Sequence, residues 1–145
     1  MSPSWQSYFI EMARLAASKS KDPSTKVGCV IVGPDMEVRA TGFNGFARGV
    51  SDDVERYADK DAKLIMMVHA EANAIAAAAR VGTSLKGCTA VVTKHPCPQC
   101  AALLIQAGVS VVVSPSPYDG SRWQDANVVA QLQFAESGVG ARYYQ

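Results

Sequence analysis

A strand–helix–strand unit in the second half of the chain constrains the fold more than any other feature. Two short runs rich in β-branched residues, 89–93 and 109–114, flank a helical segment over 98–107 that ends at Gly108. Strands joined by a helical crossover pair in parallel, whereas an antiparallel pair can be joined by a tight turn. The unit therefore predicts a sheet that is partly parallel and covered by helices.

The rest of the chain supplies further strands and helices in alternation. Apolar residues recur at helical spacing near the N-terminus, and β-branched runs on either side of Gly33-Pro34-Asp35 predict a hairpin. An alanine-rich segment that closes at Gly82 predicts another helix. The predicted elements are helices over 5–19, 70–81, 98–107 and 127–136, and strands over 27–32, 37–43, 89–93, 109–114 and 141–144. Their order, αββαβαβαβ, predicts a layered α/β domain.

Composition limits the functional classes that the chain can belong to. With 145 residues, of which 48% are hydrophobic, residues 1–145 are expected to form one domain with a sizeable core. We expect a cytoplasmic location, because the N-terminus resembles no targeting sequence and four cysteines make a poor disulfide framework. No apolar stretch has the length of a membrane span. The net charge of +1 neither demands nor excludes a nucleic-acid partner, although proteins that bind phosphate backbones usually carry a stronger basic bias.

Two short motifs carry the chemistry. His69 and Glu71 lie two residues apart at one predicted helix start, and Cys97 and Cys100 lie three apart at another. Imidazole and thiolate are common zinc ligands, and backbone amides at a helix N-terminus lower the pKa of a thiol. Three protein ligands leave a fourth position open, as in catalytic zinc sites. We therefore expect one Zn²⁺ held by His69, Cys97 and Cys100, with Glu71 beside it as the proton carrier.

Other interpretations of the cysteine pair explain less of the sequence. Cys97 and Cys100 alone would also suit a redox dithiol or half of a zinc ribbon. A ribbon needs a second closely spaced pair of ligands, but Cys29 and Cys88 stand apart in apolar segments. Cys29 is expected to be a small core residue. A redox dithiol would have no need of the upstream His69.

The combined pattern H-x-E…P-C-x-x-C resembles the signature of zinc-dependent nucleobase deaminases. One branch, the deoxycytidylate (dCMP) deaminases, resembles the chain over about residues 5–114. The segments that carry this resemblance are Asp22-Pro23-Ser24-Thr25-Lys26-Val27-Gly28, Gly42-Phe43-Asn44-Gly45 with the later Asp52-Asp53, His69-Ala70-Glu71-Ala72-Asn73-Ala74-Ile75, and Pro96 to Gly108. Beyond them, Ser116-Pro117-Tyr118-Asp119 replaces the family's usual cluster of aspartate, lysine and tyrosine.

The resemblance implies a cytidine deaminase-like fold, which is a three-layer α/β/α domain with a five-stranded mixed sheet. It implies zinc-dependent hydrolysis of dCMP to dUMP and ammonia, which would supply dUMP for thymidylate synthesis. It also implies substrate contacts, with Asn44 at the deoxyribose. The substrate-binding residues expected on this ground are Asn44, Ala70, Ser24, Thr25, Lys26 and Tyr118, of which the last four lie near the 5′-phosphate.

Regulation and assembly follow from the same resemblance. Members of this family are commonly hexamers that dCTP activates and dTTP inhibits, so we expect a homo-hexamer that binds these effectors. Mg²⁺ is a further candidate ion, bound with a triphosphate effector. The effector region would be the long loop after the second strand, with Ala47 where the family usually has proline. Its candidate residues are Gly42, Asn44, Gly45, Phe46, Arg48, Asp53 and Arg56.

Two alternative functions stay open. A deaminase of adenosine in tRNA, or of a free nucleoside or base, would share the zinc residues, but the chain lacks a surface run of basic and aromatic residues. A non-catalytic binding module that is stabilised by zinc would keep the three ligands, but Glu71 would have no function in it. His95, next to the second motif, is expected in a loop at the rim of the site.

Overall fold

The computed structural model describes residues 1–145 and contains one mixed β-sheet with helices on both of its faces. The strands are β1 (Gly28–Val32), β2 (Val38–Phe43), β3 (Gly45–Phe46), β4 (Met67–Val68), β5 (Thr89–Val92), β6 (Val111–Pro115) and β7 (Gly140–Tyr144). The helices are α1 (Pro3–Ala17), α2 (Val54–Ala58), α3 (Lys60–Met66), α4 (Ala70–Val81), α5 (Pro98–Gln106) and α6 (Gln124–Ser137). None of these helices combines the length and the apolar character that a membrane crossing requires.

The five main strands lie in the order β2-β1-β5-β6-β7. β1 is antiparallel to both of its neighbours, and its Val30 lies opposite Thr41 of β2 and Val91 of β5. β5, β6 and β7 are parallel to one another. The parallel half of the sheet contains the strand–helix–strand unit predicted from the sequence, and that prediction is confirmed.

The sheet separates two hydrophobic clusters. Every residue of β1 is buried, and its side chains alternate between the two faces. Val30 and Val32 belong to a cluster of 7 buried residues formed with α1. Cys29 and Ile31 belong to a cluster of 16 formed with α4, α5 and α6. The predicted three-layer α/β/α fold with a five-stranded mixed sheet is therefore confirmed, and Cys29 is a core residue as expected.

Two glycines allow helices to approach the sheet closely. A side chain at Gly28 would collide with the backbone of α1 at Ala13. A side chain at Gly42 would collide with the backbone of α4 at Ala70 and Ala74. Because α4 begins at the first of the two chemical motifs, the contact with Gly42 sets the distance between that motif and the sheet.

Most predicted elements agree with the structure, apart from small differences at their ends. The helix over 70–81 has its predicted bounds and ends at Gly82, whose φ of 74° is left-handed. The bounds of the other main elements lie within a few residues of the predicted positions, and several coincide with them, as expected where helix and strand ends are irregular. Local sequence signals therefore suffice for the framework of the domain.

The segment between β2 and α4 is the exception. The sequence predicts a long loop here, and this prediction is wrong, because the segment contains β3, α2, α3 and β4. β3 pairs with β4 in a small antiparallel sheet, and Asp59 caps α3 by accepting hydrogen bonds from two of its amides. α3 buries none of its residues, and α2 buries only Tyr57. Helices without a buried apolar face leave little periodicity in the sequence.

Candidate active site

The candidate zinc ligands come together because two helices begin at the same place. His69 is the N-cap residue of α4, and Cys97 is the N-cap residue of α5. Cys100 lies in the first turn of α5, and its amide donates to the Cys97 sulfur at 3.5 Å. The His69 ring makes no capping hydrogen bond and lies instead beside the two cysteines.

The distances among these three side chains fit a zinc ion. Nδ1 of His69 lies 3.5 Å from the sulfur of Cys97 and 3.5 Å from the sulfur of Cys100. All three ligand atoms lie within 4.8 Å of one another. A tetrahedral zinc with bonds of about 2.3 Å to sulfur and about 2.1 Å to nitrogen would hold sulfur and nitrogen about 3.6 Å apart. The donor atoms and their spacing therefore match a three-ligand zinc site.

The two cysteines differ in their affinity for a proton. The hydrogen bond with Cys100 lowers the pKa of Cys97 to about 4, against the effect of burial and with help from His69. The same bond, followed by burial, raises the pKa of Cys100. The hydrogen bond to Cys97 raises the pKa of His69. A thiolate at a helix N-terminus is prepared to bind a cation.

Glu71 is the carboxylate closest in sequence to the ligands and lies in the first turn of α4. Its residue is only 4% exposed. Burial raises the pKa of Glu71 to about 7, although its own backbone amide and the charge of His69 act in the opposite direction. A carboxyl group with a pKa near neutrality can both accept and release a proton. The environment of Glu71 therefore suits general acid–base chemistry.

Glu71 and two of the ligands line a cavity of about 630 Å³. Lys26 and Tyr118, both predicted to lie near the phosphate, are exposed and do not line it. Cys100 is buried behind the cavity wall. The predicted site residues that do line the cavity are Ser24, Thr25, Asn44, His69, Ala70, Glu71 and Cys97. The structure thus gathers most of the predicted catalytic, metal-binding and substrate-binding residues around one space.

Asn44 holds one wall of this cavity together. Its Oδ1 accepts a hydrogen bond from the Val27 amide at 2.8 Å, and its Nδ2 donates to the Thr25 carbonyl at 2.9 Å. Its own carbonyl accepts from the Ser20 hydroxyl at 2.9 Å. These bonds tie the end of β2 to the segment before β1. One Nδ2 hydrogen and one Oδ1 lone pair remain for a ligand.

A partly buried ion pair supports the same wall. Nζ of Lys63 lies 2.9 Å from Oδ2 of Asp22, which is 2% exposed. Oδ1 of Asp22 accepts hydrogen bonds from the amides of Ser24 at 2.9 Å and Thr25 at 3.3 Å. Burial opposes ionisation of Asp22, but these bonds and the Lys63 ammonium outweigh it and hold the pKa below 3.8. The pair fixes the turn that carries Ser24 and Thr25.

The residues predicted for effector binding lie in different environments. Gly42 is buried beneath α4, and Gly45 belongs to β3. The Phe46 ring packs on Tyr57 with centroids 4.7 Å apart, and the guanidinium of Arg56 lies 5.9 Å from the Phe46 centroid. Phe46 and Arg56 therefore make packing contacts within the domain.

The other two effector candidates lie at the surface. Arg48 is exposed in the turn after β3. Asp53 is also exposed, and its Oδ2 accepts a hydrogen bond from the Ser51 hydroxyl at 3.0 Å. Neither residue lines the cavity beside Glu71. A role for Arg48 or Asp53 would therefore concern a ligand other than the reacting base.

His95 lines the cavity from the predicted loop, and it is more deeply buried than a residue at the rim. It is 5% exposed, and its Nδ1 lies 3.0 Å from the Pro96 carbonyl. Its ring packs near Phe134 and Tyr143, with centroids 6.4 Å and 6.1 Å away. His95 does lie in the loop between β5 and α5 and lines the cavity, but it is buried because α6 and β7 cover this loop. Such long-range packing leaves no local signal next to the Cys97 motif.

Several residues of the cavity wall carry no signal in the motifs. Lys94, Arg122, Trp123 and Asn127 line the cavity from the loop before α5 and from the start of α6. Lys94 stands three residues before Cys97, a position that could have drawn attention to it. The other three belong to no motif, and only the packing of α6 brings them to the site.

Comparison with known proteins places this site in a family. Residues 3–115 match the family model of the cytidine and deoxycytidylate deaminase zinc-binding region. The chain belongs to the cytidine and deoxycytidylate deaminase family. All three candidate ligands and Glu71 lie inside the matched residues. Deoxycytidylate deaminase of Homo sapiens is 39% identical over 145 residues, covering 97% of this chain and 79% of the human protein.

Two further relatives extend the likeness over the whole deaminase chain. An uncharacterised deaminase of Aliivibrio fischeri is 43% identical over 137 residues, which cover 93% of this chain and 90% of that protein. The crystal structure of dCMP deaminase from cyanophage S-TIM5, in complex with dCMP and dUMP, superimposes with a TM-score of 0.80 at 26% identity and covers 99% of both chains. The fold of this deaminase therefore matches that of the cyanophage enzyme over nearly all of the solved chain.

Proposed function

We propose that this deaminase hydrolyses dCMP to dUMP and ammonia. The observation that carries the proposal is the burial of Glu71 beside His69 and Cys97 in the wall of one cavity. The likeness to deoxycytidylate deaminases over nearly the whole chain supports dCMP as the substrate. The dUMP formed would be available for thymidylate synthesis.

Glu71 moves the protons of the reaction. Its carboxylate accepts a proton from the attacking water and delivers it to N3 of cytosine as the oxygen adds to C4. It then transfers the proton of the new hydroxyl to the amino group, which leaves as ammonia when the C4–N bond breaks. Burial raises the pKa of Glu71 to about 7, so that the carboxyl group can both accept and release a proton near neutral pH.

His69, Cys97 and Cys100 are the residues that would hold zinc. When bound, zinc supplies Lewis-acid chemistry that makes water an effective nucleophile near neutral pH. The low pKa of Cys97, which its bond with Cys100 and its contact with His69 produce, favours the thiolate needed for binding.

The remaining substrate contacts are part of the proposal. Asn44 keeps one donor hydrogen and one lone pair beyond its contacts within the chain, which suits a deoxyribose hydroxyl. Ala70 lines the cavity next to Glu71, and Ser24 and Thr25 line it from the Asp22 turn. Contacts of Lys26 and Tyr118 with the phosphate stay predictions, because both residues lie outside the cavity wall.

Regulation by nucleotides is a finer part of the same proposal. We expect dCTP to activate and dTTP to inhibit a homo-hexamer through the segment from Gly42 to Arg56, with Mg²⁺ accompanying the triphosphate. The exposed Arg48 and the Arg56 guanidinium near Phe46 offer positive charge to such a ligand. The rate at subsaturating dCMP should rise with dCTP and fall with dTTP. An unchanged rate with both nucleotides would contradict this part.

A cytoplasmic place of action completes the proposal. The support comes from the cysteines, because all four are free and none pairs in a disulfide. Two of them, Cys29 and Cys88, are buried in the core and serve there as small apolar residues. Fractionation of the source cells, followed by detection of this chain, would test the compartment.

The function is tested by incubating zinc-loaded protein with dCMP and separating the products by chromatography. We expect dUMP and ammonia to appear in equal amounts, as hydrolysis of the C4–N bond requires. A protein that retains bound zinc but releases neither product would contradict the proposal. A matched reaction with the Glu71→Gln variant controls for contaminating deaminases.

A further inference from the structure

Net charge is distributed unevenly around the cavity. On the side of α3, Lys63 is paired with Asp22 at 2.9 Å, and Lys60 is followed directly by Asp61. All four of these residues line the cavity, so the two positive and two negative charges on this side cancel. A phosphate group gains little from a wall of zero net charge.

The loop before α5 and the start of α6 form a cationic wall. Lys94 and Arg122 both line the cavity, and neither makes an ion pair. The Arg122 guanidinium carbon lies 4.7 Å from the centroid of the Trp123 ring, and Nζ of Lys94 lies 5.8 Å from it. Asp119 is the nearby carboxylate and its charge interacts with that of Lys94, but the two residues form no ion pair and Asp119 does not line the cavity. Two cations therefore share one aromatic ring without a paired anion.

Two buried polar atoms in the same wall also lack partners. Asn127 is 3% exposed, and its Nδ2 has no hydrogen-bond acceptor. His95 is 5% exposed; its Nδ1 donates to the Pro96 carbonyl, and its Nε2, which is the acceptor in the neutral ring, has no hydrogen-bond partner. A buried polar atom that makes no hydrogen bond is costly to keep. These atoms point to a polar ligand independently of the charges.

We propose that Lys94 and Arg122 bind the 5′-phosphate of the nucleotide and that Asn127 donates a further hydrogen bond to it. The inference rests on the proposed function, since it assigns the anionic end of that substrate to one wall of the same cavity. A guanidinium donates paired hydrogen bonds to phosphate oxygens, and a lysine ammonium adds a compact charge. Trp123 holds both cations by cation–π contact, so they are in place before the nucleotide binds.

This assignment names different cations from Lys26, which the family resemblance implied. Lys26 and Tyr118 lie outside the cavity wall, whereas Ser24 and Thr25 line it and offer only neutral hydroxyl groups. Lys94 and Arg122 of the cationic wall would then recognise the charge of the phosphate. The deaminase would distinguish dCMP from deoxycytidine through side chains that lie outside both zinc motifs.

Kinetics with and without the phosphate test the proposal. The variants are Lys94→Gln and Arg122→Gln, with Lys86→Gln as the matched control, because Lys86 is exposed and does not line the cavity. With matched zinc content, each of the first two should lower kcat/KM for dCMP at least about tenfold, the effect of losing one charge-assisted contact. Turnover of deoxycytidine should change little. The control should resemble wild type with both substrates.

A binding measurement gives a second readout that needs no turnover. The chain has two tryptophans, so the Trp5→Phe variant leaves Trp123 as the single fluorescent reporter. In this background, dUMP should change the emission and bind at least about tenfold more tightly than deoxyuridine. Adding Arg122→Gln should remove most of that difference in affinity without weakening the binding of deoxyuridine.

The outcomes separate this inference from the proposed function. If Lys94→Gln and Arg122→Gln lowered kcat/KM equally for dCMP and for deoxycytidine, the inference would be overturned. It would also be overturned if Lys60→Gln lowered kcat/KM for dCMP more than Lys94→Gln and Arg122→Gln do. Equal affinities for dUMP and deoxyuridine would overturn it as well. A wild-type protein that binds dUMP tightly through Arg122 but does not deaminate dCMP would support the inference and contradict the proposed function.

Discussion

Nδ1 of His69 lies 3.5 Å from the sulfur of Cys97, although the two residues are 28 positions apart in the sequence. The sheet makes this contact possible. α4 packs on β2 and β1, while α5 follows β5, the other neighbour of β1. The N-termini of both helices therefore meet at one end of the sheet. The metal site depends on how these helices pack as much as on which ligands they carry.

Replacing Cys97 with alanine should abolish tight zinc binding. Zinc binding also stabilises the folded state, so the melting temperature should fall. Cys88→Ala is the matched control, because Cys88 is buried in the core away from the three ligands. Elemental analysis and thermal unfolding of both variants provide the measurement. A Cys97→Ala protein with a full equivalent of zinc would contradict the ligand assignment.

Glu71→Gln should separate binding from chemistry. The amide keeps the shape of the side chain but cannot carry protons, so the rate should fall by at least about 10²-fold. Zinc content and affinity for dUMP should stay close to wild type. These are measured by elemental analysis, titration and steady-state kinetics with dCMP. Turnover close to that of wild type would refute the role of Glu71.

Gly42→Ala should destabilise the domain through the contact between β2 and α4. An added Cβ would collide with the backbone at Ala70 and Ala74, and overpacking of this kind costs about 1–3 kcal/mol. Gly45→Ala is the matched control, because its Cβ would meet only Tyr57 Oη at 3.8 Å. Urea unfolding of the two variants measures the difference. Equal stability would show that α4 can move away from the sheet without cost.

Asp22→Asn should change how stability depends on pH. The pKa of Asp22 is held below 3.8 in the folded protein, so its ionised form stabilises the fold above that pH. This contribution is lost as the pH falls through the folded-state pKa. Near pH 7, the variant should be less stable than wild type by about 1–3 kcal/mol, because Lys63 and the two amides lose a charged acceptor.

The free energy of unfolding of both proteins, measured from pH 7 to pH 2, provides the check. The difference between them should be constant above about pH 5 and should shrink below pH 3.8. A difference that stays constant down to pH 2 would mean that the Asp22 carboxylate is not coupled to folding through Lys63.

Much of the fold follows from local sequence signals. The helix from Ala70 to Val81 is predicted by its alanines and by Gly82, whose left-handed conformation ends it. The parallel strands follow from the short crossover between two β-branched runs. α2 and α3 cannot be predicted from the sequence, because they bury almost no apolar surface and so lack a helical pattern of apolar residues.

Some residues of the site can also be predicted from local sequence signals, and others cannot. The zinc ligands and Glu71 can be predicted because their spacing is short and chemically specific. Lys94 and Arg122 cannot, because they come from separate segments that meet only when α6 packs beside the loop before α5. The burial of His95 depends on the same packing. Residues brought together by tertiary contacts leave no pattern of spacing in the sequence.

The most direct test is a comparison of kcat/KM for dCMP, deoxycytidine, dCTP and adenosine in RNA with the same zinc-loaded protein. Loss of cytosine absorbance follows the first three substrates, and inosine detection follows the last. We predict rapid turnover of dCMP, with kcat/KM at least about tenfold above that of deoxycytidine and no turnover of RNA. Zinc-bound protein that leaves dCMP unchanged, or that prefers adenosine in RNA, would contradict the account.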